Sequence, residues 1–339
     1  MTGNEMLLSR FSEIPEELDP ASPVALGLRC PVCKQEHRLS RPGLGGAGAQ
    51  CSFEFSYVDG ILRALPNERE LYFHRFIRDY EMVRAREGRG SSSDEYYLAL
   101  PFADLPGDQG WQWNIRSRTY RYLIQKVLPQ IENQNPSGCD VLDIGAGNCW
   151  LSYRLARRGH RPVAVDLLDN PTDGLGAGRH YFSHIERRFV RVQAEMDNLP
   201  FASGQFDVAI FNASLHYSAD YEQTMKEVAR CLRRPGYLVI ADSPFYNSEA
   251  AGQRMLEEKR STFLQKFGFS PDSTQSREYL TPQVLHQLAE ALSLQWTVHK
   301  PWYGIRWMMR PVKAGLLRRR KPSKFYVWVA QVGRGEMSA

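Results

Sequence analysis

The stretch Cys139-Asp140-Val141-Leu142-Asp143-Ile144-Gly145-Ala146-Gly147-Asn148-Cys149-Trp150 decides the fold. Its apolar run, Val141 to Ile144, reads as a buried strand, and Trp150 to Arg158 carries a helical pattern. Between them lies Gly145-Ala146-Gly147. A strand that turns directly into a helix through glycines lets a ligand approach the backbone closely. The helix N-terminus then offers unpaired N–H groups to an anionic part of that ligand. Position 150 holds Trp where the dinucleotide fingerprint has its third Gly, which argues against NAD or FAD.

Outward from this turn, short apolar runs alternate with amphipathic helices. Val163 to Asp166, Phe189 to Val192, Phe206 to Phe211 and Tyr237 to Ala241 read as strands, with a helix over Asp220 to Leu232. Leu294 to Lys300 and Lys324 to Val332 read as two closing strands. This alternation predicts a parallel sheet with helices on both faces. Phe245 to Leu280 is an insertion placed to act as a lid, helical around Ala250 to Phe267. Thr281-Pro282 has the form of an N-cap and N1 pair opening a helix to Leu292. Upstream, 67–135 reads as a mostly helical cap with a polar loop at Arg86 to Asp94, and its second helix is expected from Ser117 to Pro129. The boundaries expected are a flexible arm over 1–25, a cysteine-containing segment over 26–66, the cap over 67–135 and the main domain over 136–339.

Further signals follow in order. Asp166 ends the second strand, where a carboxylate can accept both hydroxyls of a ribose. Glu195 to Phe201 follows the third, and Phe206-Asp207 opens the fourth. With Leu142 to Gly147, Val165-Asp166, Asn198-Leu199-Pro200-Phe201 and Arg233-Arg234-Pro235-Gly236, the chain resembles the class I S-adenosylmethionine (SAM)-dependent methyltransferases. The branch that includes ubiquinone and menaquinone methyltransferases is the most similar, over about 136–245. The resemblance implies a Rossmann-like doubly wound α/β sheet of seven strands, the last antiparallel. It implies that Asp143, Gly145, Ala146 and Gly147 lie against the methionine part of SAM. Asp166, with Leu167, would hold the ribose, and Glu195, where the family usually has Asp, would lie near the adenine amino group. Met196 would flank the adenine, and Asn212 would face the reaction site.

Cys30-Pro31-Val32-Cys33 has the form of a zinc knuckle, whose turn puts both thiolates on one side. Cys51 supplies a third sulfur, and Glu54 stands where a fourth Cys would complete a ribbon, with His37 as an alternative. The segment resembles small zinc-ribbon-like domains fused in front of methyltransferases. Two readings stand side by side: a structural zinc on these residues, or a degenerate ribbon held by apolar packing. The Gly-rich turn Gly43 to Gly48 falls inside it.

The 339 residues are 42% apolar with a net charge of +5, enough for a substantial core and too mild a charge to argue for nucleic acid. No run of about 18 apolar residues predicts a transmembrane helix. The six sparse cysteines fit a reducing, cytoplasmic location, and oligomeric state has no signature here. Methyl transfer needs the acceptor positioned, and a base only if the acceptor must lose a proton. His216 and Tyr217 are the nearest candidates to the acceptor, with His216 as a base, although Asn212 and His216 could simply cap or pack at the strand exit. Arg116 could meet the SAM carboxylate or an acidic acceptor. The expected acceptor is a small molecule: aromatic, lipid-like or a natural product. An RNA base is the alternative, since Arg318-Arg319-Arg320-Lys321 could meet phosphates, an anionic lipid, or water alone. A third reading is a SAM-binding partner without turnover.

Overall fold

The computed structural model describes residues 26–38, 51–105, 109–268 and 276–333. The expected arm over 1–25, the turn Gly43 to Gly48 and residues 269–275 of the insertion lie outside them, as does the side chain of His37.

The elements in chain order are β1 (Gly27–Arg29), β2 (Glu36–Arg38), β3 (Ser56–Val58), β4 (Ile61–Arg63), α1 (Asn67–Arg86), α2 (Asp94–Ala99), α3 (Gly110–Tyr122) and α4 (Leu128–Glu132). Then come β5 (Asp140–Ile144), α5 (Trp150–Ala156), β6 (Arg161–Asp166), β7 (Val190–Gln193), β8 (Phe206–Asn212), α6 (Tyr221–Cys231) and β9 (Leu232–Ala241). The chain closes with α7 (Glu249–Phe267), α8 (Pro282–Leu292), β10 (Thr297–His299), α9 (Ile305–Met308), α10 (Arg310–Leu316) and β11 (Val327–Val332).

One sheet dominates, in the order β10-β11-β9-β8-β5-β6-β7-β4-β3. From β9 through β4 every pairing is parallel, and β11 runs antiparallel to both its neighbours. The seven expected strands are all present. Two more extend the sheet, because the hairpin β3–β4, from the cysteine-containing segment, adds to the free edge of β7. The pleat explains why the central strands read as unbroken apolar runs. Leu142 and Ile144 face one core and Val141 the other, so both faces of the sheet are buried.

The cap packs on one face. Trp150, the residue in place of a third glycine, is buried with its ring edge-on to Trp113 and Tyr120 of α3. These contacts explain why α3 begins at Gly110 rather than near Ser117: Trp113 and Ile115 extend its buried face backwards. The helical path then continues through a π turn at Leu123–Val127 before Pro129. Thr281 caps α8 as expected, accepting from the Val284 N–H with Pro282 at the first turn. The insertion closes on itself at its neck, where Tyr246 N–H donates to the Leu280 carbonyl at 2.9 Å and Leu280 N–H to that of Pro244 at 2.8 Å. No helix among the described residues is long and apolar enough to cross a membrane.

Because Leu62 of β4 is fully buried in the same core as Leu142 and Val192, Leu62→Ala is expected to cost about 2–5 kcal/mol. Calorimetry should show one shifted unfolding transition. A separate early transition would mean that the hairpin folds apart from the main sheet.

Candidate active site

The chain runs β5–β6–β7 outward in one direction and β8–β9 in the other, so the sheet order reverses between β5 and β8. A crevice opens there, beyond the carboxyl ends of the strands, and such switch points hold ligands in doubly wound folds. The loops after β5 and β8 touch across it. Gly145 has φ +71°, and a Cβ there would lie 2.2 Å from the Cβ of Ser214. The Ser214 hydroxyl in turn donates to the Ile144 carbonyl. Gly147 has φ +53°, and its N–H donates to Asp166 Oδ2 at 2.7 Å, while Leu168 N–H donates to Oδ1 at 2.9 Å.

The acids at these strand ends are buried. Burial pushes the Asp166 carboxyl up to about 6, against the opposing pull of the Leu168 and Gly147 N–H groups. Burial raises Asp143 further, to about 7, although its Oδ2 accepts from Ser152 Oγ at 2.7 Å.

One cavity is lined by Asp143, Gly145, Ala146, Gly147, Asp166 and Leu167 together with Met196, Asn212 and Arg116. Every residue expected to hold the cofactor is therefore in it except Glu195. That carboxylate is buried and turned the other way, gripped by both Nε (2.8 Å) and Nη2 (2.6 Å) of Arg69 from α1. The extra methylene of Glu over Asp gives the reach for this pair. Arg69 also lies over the rings of Tyr72 and Phe73.

A second cavity of about 300 Å³ adjoins the first. The two share Phe76, Tyr80, Arg84, Arg89, Arg116, Ala213 and Tyr217, so they lie side by side. The second is walled by Val83, Trp111, Ile115, Phe263 and Phe325, and its polar lining adds Asp79, Glu87, Gln112, His216, Asp242, Lys259 and Glu278 to the shared arginines. Tyr217 borders both cavities, Asn212 only the first, and His216 only the second. His216 is held neutral: burial, then the charges of Lys259, Arg116 and Arg84, push it down to about 3. It is thus a poor proton acceptor, against the role expected for it.

The sequence reading missed Asp242. This residue follows β9 with φ +51° and is buried. Its Oδ1 accepts from Thr119 Oγ1 at 2.6 Å, and Thr119 meets Tyr303 Oη at 2.9 Å. Its Oδ2 is buried with no partner among the described residues. Burial pushes the carboxyl up to about 6, opposed by the Thr119 hydrogen bond and by Arg116. The available signal was position: like Asp166, it stands at the end of a parallel strand. Arg84 hydrogen-bonds Tyr80 and lies 3.3 Å from Asp173. Arg116 makes no ion pair among the described residues and rests over Trp113 at 4.7 Å.

The cysteines of the N-terminal segment converge. Cys30, Cys33 and Cys51 place their sulfurs within 4.8 Å of one another. Glu54 is exposed and does not join them.

Residues 142–240 match the methyltransferase domain family. This region is a SAM-dependent methyltransferase domain. Among its relatives is the 27-O-demethylrifamycin SV methyltransferase of Amycolatopsis mediterranei, 26% identical over 53% of this chain and 75% of that protein. The fatty-acid O-methyltransferase of Mycolicibacterium smegmatis is 31% identical over 36% of this chain and 44% of its own length. The chain therefore spans less than half of the second relative. Among solved structures, the Burkholderia thailandensis 1,6-didemethyltoxoflavin-N1-methyltransferase, with S-adenosylhomocysteine bound, superposes with a TM-score of 0.47 at 16% identity, covering 85% of this chain and 98% of that one.

The turn Gly145-Ala146-Gly147 lines the first cavity, with the buried acids Asp143 and Asp166 beside it. Asp166→Asn keeps the shape and removes the charge that two ribose hydroxyls would meet. Calorimetry with S-adenosylhomocysteine is expected to show about 30-fold weaker binding with little change in melting temperature.

Proposed function

We propose that the protein transfers a methyl group from SAM to a small, largely apolar acceptor carrying an ionisable hydroxyl or amine, with Asp242 receiving the acceptor's proton. The observation that carries this reading is Asp242, a buried carboxylate that lines a partly aromatic cavity adjoining the first and whose Oδ2 has no partner among the described residues. The relatives named above act, by their names, on a rifamycin and on fatty acids, both small molecules. A cavity with an aromatic wall and the acids Asp79, Glu87, Asp242 and Glu278 in its lining suits such an acceptor better than a polyanion.

When bound, SAM supplies a sulfonium-activated methyl carbon, and S-adenosylhomocysteine leaves. The chain's residues arrange everything else. Thr119 fixes Asp242 through Oδ1, so Oδ2 is the oxygen left to accept from the acceptor. As the acceptor's lone pair forms the new bond to carbon, its O–H or N–H proton passes to that oxygen. Tyr217 and Arg116 stand where the cavities join and set the acceptor's approach. Phe263 and Lys259 of α7 cover the cavity from the insertion and keep water out.

A carboxylate accepts a proton only when ionised, so turnover is expected to fall as pH drops through about 6. Asp242→Asn should lower kcat by about 100-fold or more and abolish that acidic limb. His216→Gln should keep the limb, because His216 stays neutral throughout this range. A limb that survives in Asp242→Asn would assign the base elsewhere.

We also propose a structural zinc on Cys30, Cys33 and Cys51. Their converging sulfurs supply three of the four donors that a structural zinc takes. Cys33 N–H also points at Cys30 Sγ, at 3.5 Å, a contact that suits a thiolate. Atomic emission on purified protein is expected to find about one zinc per chain. Cys33→Ser should lose the metal and melt earlier. A metal-free wild type would leave apolar packing as the only support of this segment.

A further inference from the structure

Between Trp302 and Lys324 the chain carries eight basic residues and no acidic one. Two short helices, α9 and α10, form the first part of this stretch. Ile305 and Met308 on α9, Met309 between the helices, and Val312 and Leu316 on α10 recur in sequence at the spacing of an apolar stripe. Such a stripe normally faces a core, yet this one faces solvent: Ile305 is 68% exposed and Leu316 82%. Arg306 and Lys313 flank it, and Arg318, Arg319 and Lys321 follow. All five are exposed and make no ion pair with the described residues.

We propose that this face docks on an anionic membrane surface, from which the acceptor enters the second cavity. The proposal rests on the small-acceptor reading above. An exposed apolar stripe bordered by unpaired cations is the pattern of a helix lying in the plane of a lipid interface, with basic side chains reaching the headgroups. Nucleic acid would use the cations and leave the stripe in water. A second copy would cover the stripe but bring two sets of these cations together.

The face is tied to the cavity. Trp307 stacks on Phe325, a cavity wall, with ring centroids 5.3 Å apart. Arg320 reaches back to Glu258 of α7 at 2.7 Å and to the Tyr246 hydroxyl at 3.0 Å. The docking face is thereby fastened to the helix that roofs the acceptor site, and the cavity lies beside the lipid.

The full chain should be sedimented with vesicles of phosphatidylcholine alone and with vesicles containing about one third phosphatidylglycerol, in about 0.1 M salt. Association with the anionic vesicles alone is expected. Ile305→Asp with Leu316→Asp, and separately Arg318→Glu with Arg319→Glu, should each weaken it at least about tenfold. Both variants should keep wild-type S-adenosylhomocysteine affinity, which shows that they fold. No association by the wild type would overturn the proposal. So would a dimer, seen by sedimentation velocity, that the Ile305→Asp/Leu316→Asp variant dissociates. Tight binding of a labelled oligouridine that the arginine reversal alone abolishes, without vesicle binding, would reassign the face to RNA. Failure here leaves the acidic limb of Asp242 untouched, so the docking and the acceptor chemistry stand or fall separately.

Discussion

The contact between Gly145 and Ser214 holds the site together. At the switch point of a doubly wound sheet, a crevice exists only if the loops leaving the two central strands can pass close to each other. Here they do so with no room for a methyl group at position 145. A side chain there would push the 213–217 loop outward, carrying Ala213 and Tyr217 with it. Those two residues border both cavities, so one missing Cβ keeps the cofactor and acceptor chambers in register. The Ser214 hydroxyl, spent on the Ile144 carbonyl, locks the same contact from the other side.

Electrostatics then divide the labour among the strand-end acids. Asp143, Asp166 and Asp242 are all buried, and in each burial is the main force raising the carboxyl. A carboxylate that lacks water is stabilised by whatever positive or donating group arrives, which suits Asp143 and Asp166 to a cationic cofactor with ribose hydroxyls. Asp242 lines only the second cavity, the one proposed to take the acceptor. Arg84 is already engaged by Tyr80 and Asp173, while Arg116 is not ion-paired among the described residues and so remains available to a ligand carboxylate. Glu195 takes no part in this exchange, because Arg69 neutralises it.

The N-terminal segment serves the sheet as well as the cysteines. The β3–β4 hairpin covers the edge of β7, which would otherwise present unpaired backbone groups. Arg63 of β4 reaches Gln193 on β7 at 2.9 Å, and Arg29 pairs with Glu227 of α6 at 3.1 Å. The segment is thus bound to the main domain through several side chains.

Local chemistry decided much of this protein. The glycine turn, the buried strands with their two-sided apolar pattern, the Thr281-Pro282 start and the convergent pair Cys30 and Cys33 each follow from residues close in sequence, because φ, burial and capping are local demands. The fate of Glu195 did not follow, since its partner Arg69 arrives from α1 across the fold. The three-residue strands β3 and β4 could not be assigned to the main sheet, because pairing with β7 is a long-range event that a short strand does not advertise. His216 was expected as a base, but burial and three nearby cations disfavour its protonated form and push it down to about 3, which makes it a weak proton acceptor. Asp242 was not singled out from sequence, because Thr119, itself bonded to Tyr303, reaches one of its oxygens from a distant segment and leaves the other without a partner among the described residues. Sequence alone thus determined which backbone can cradle a ligand. Tertiary structure alone decided which buried charge is left unsatisfied, because satisfaction depends on neighbours that the chain brings from far away.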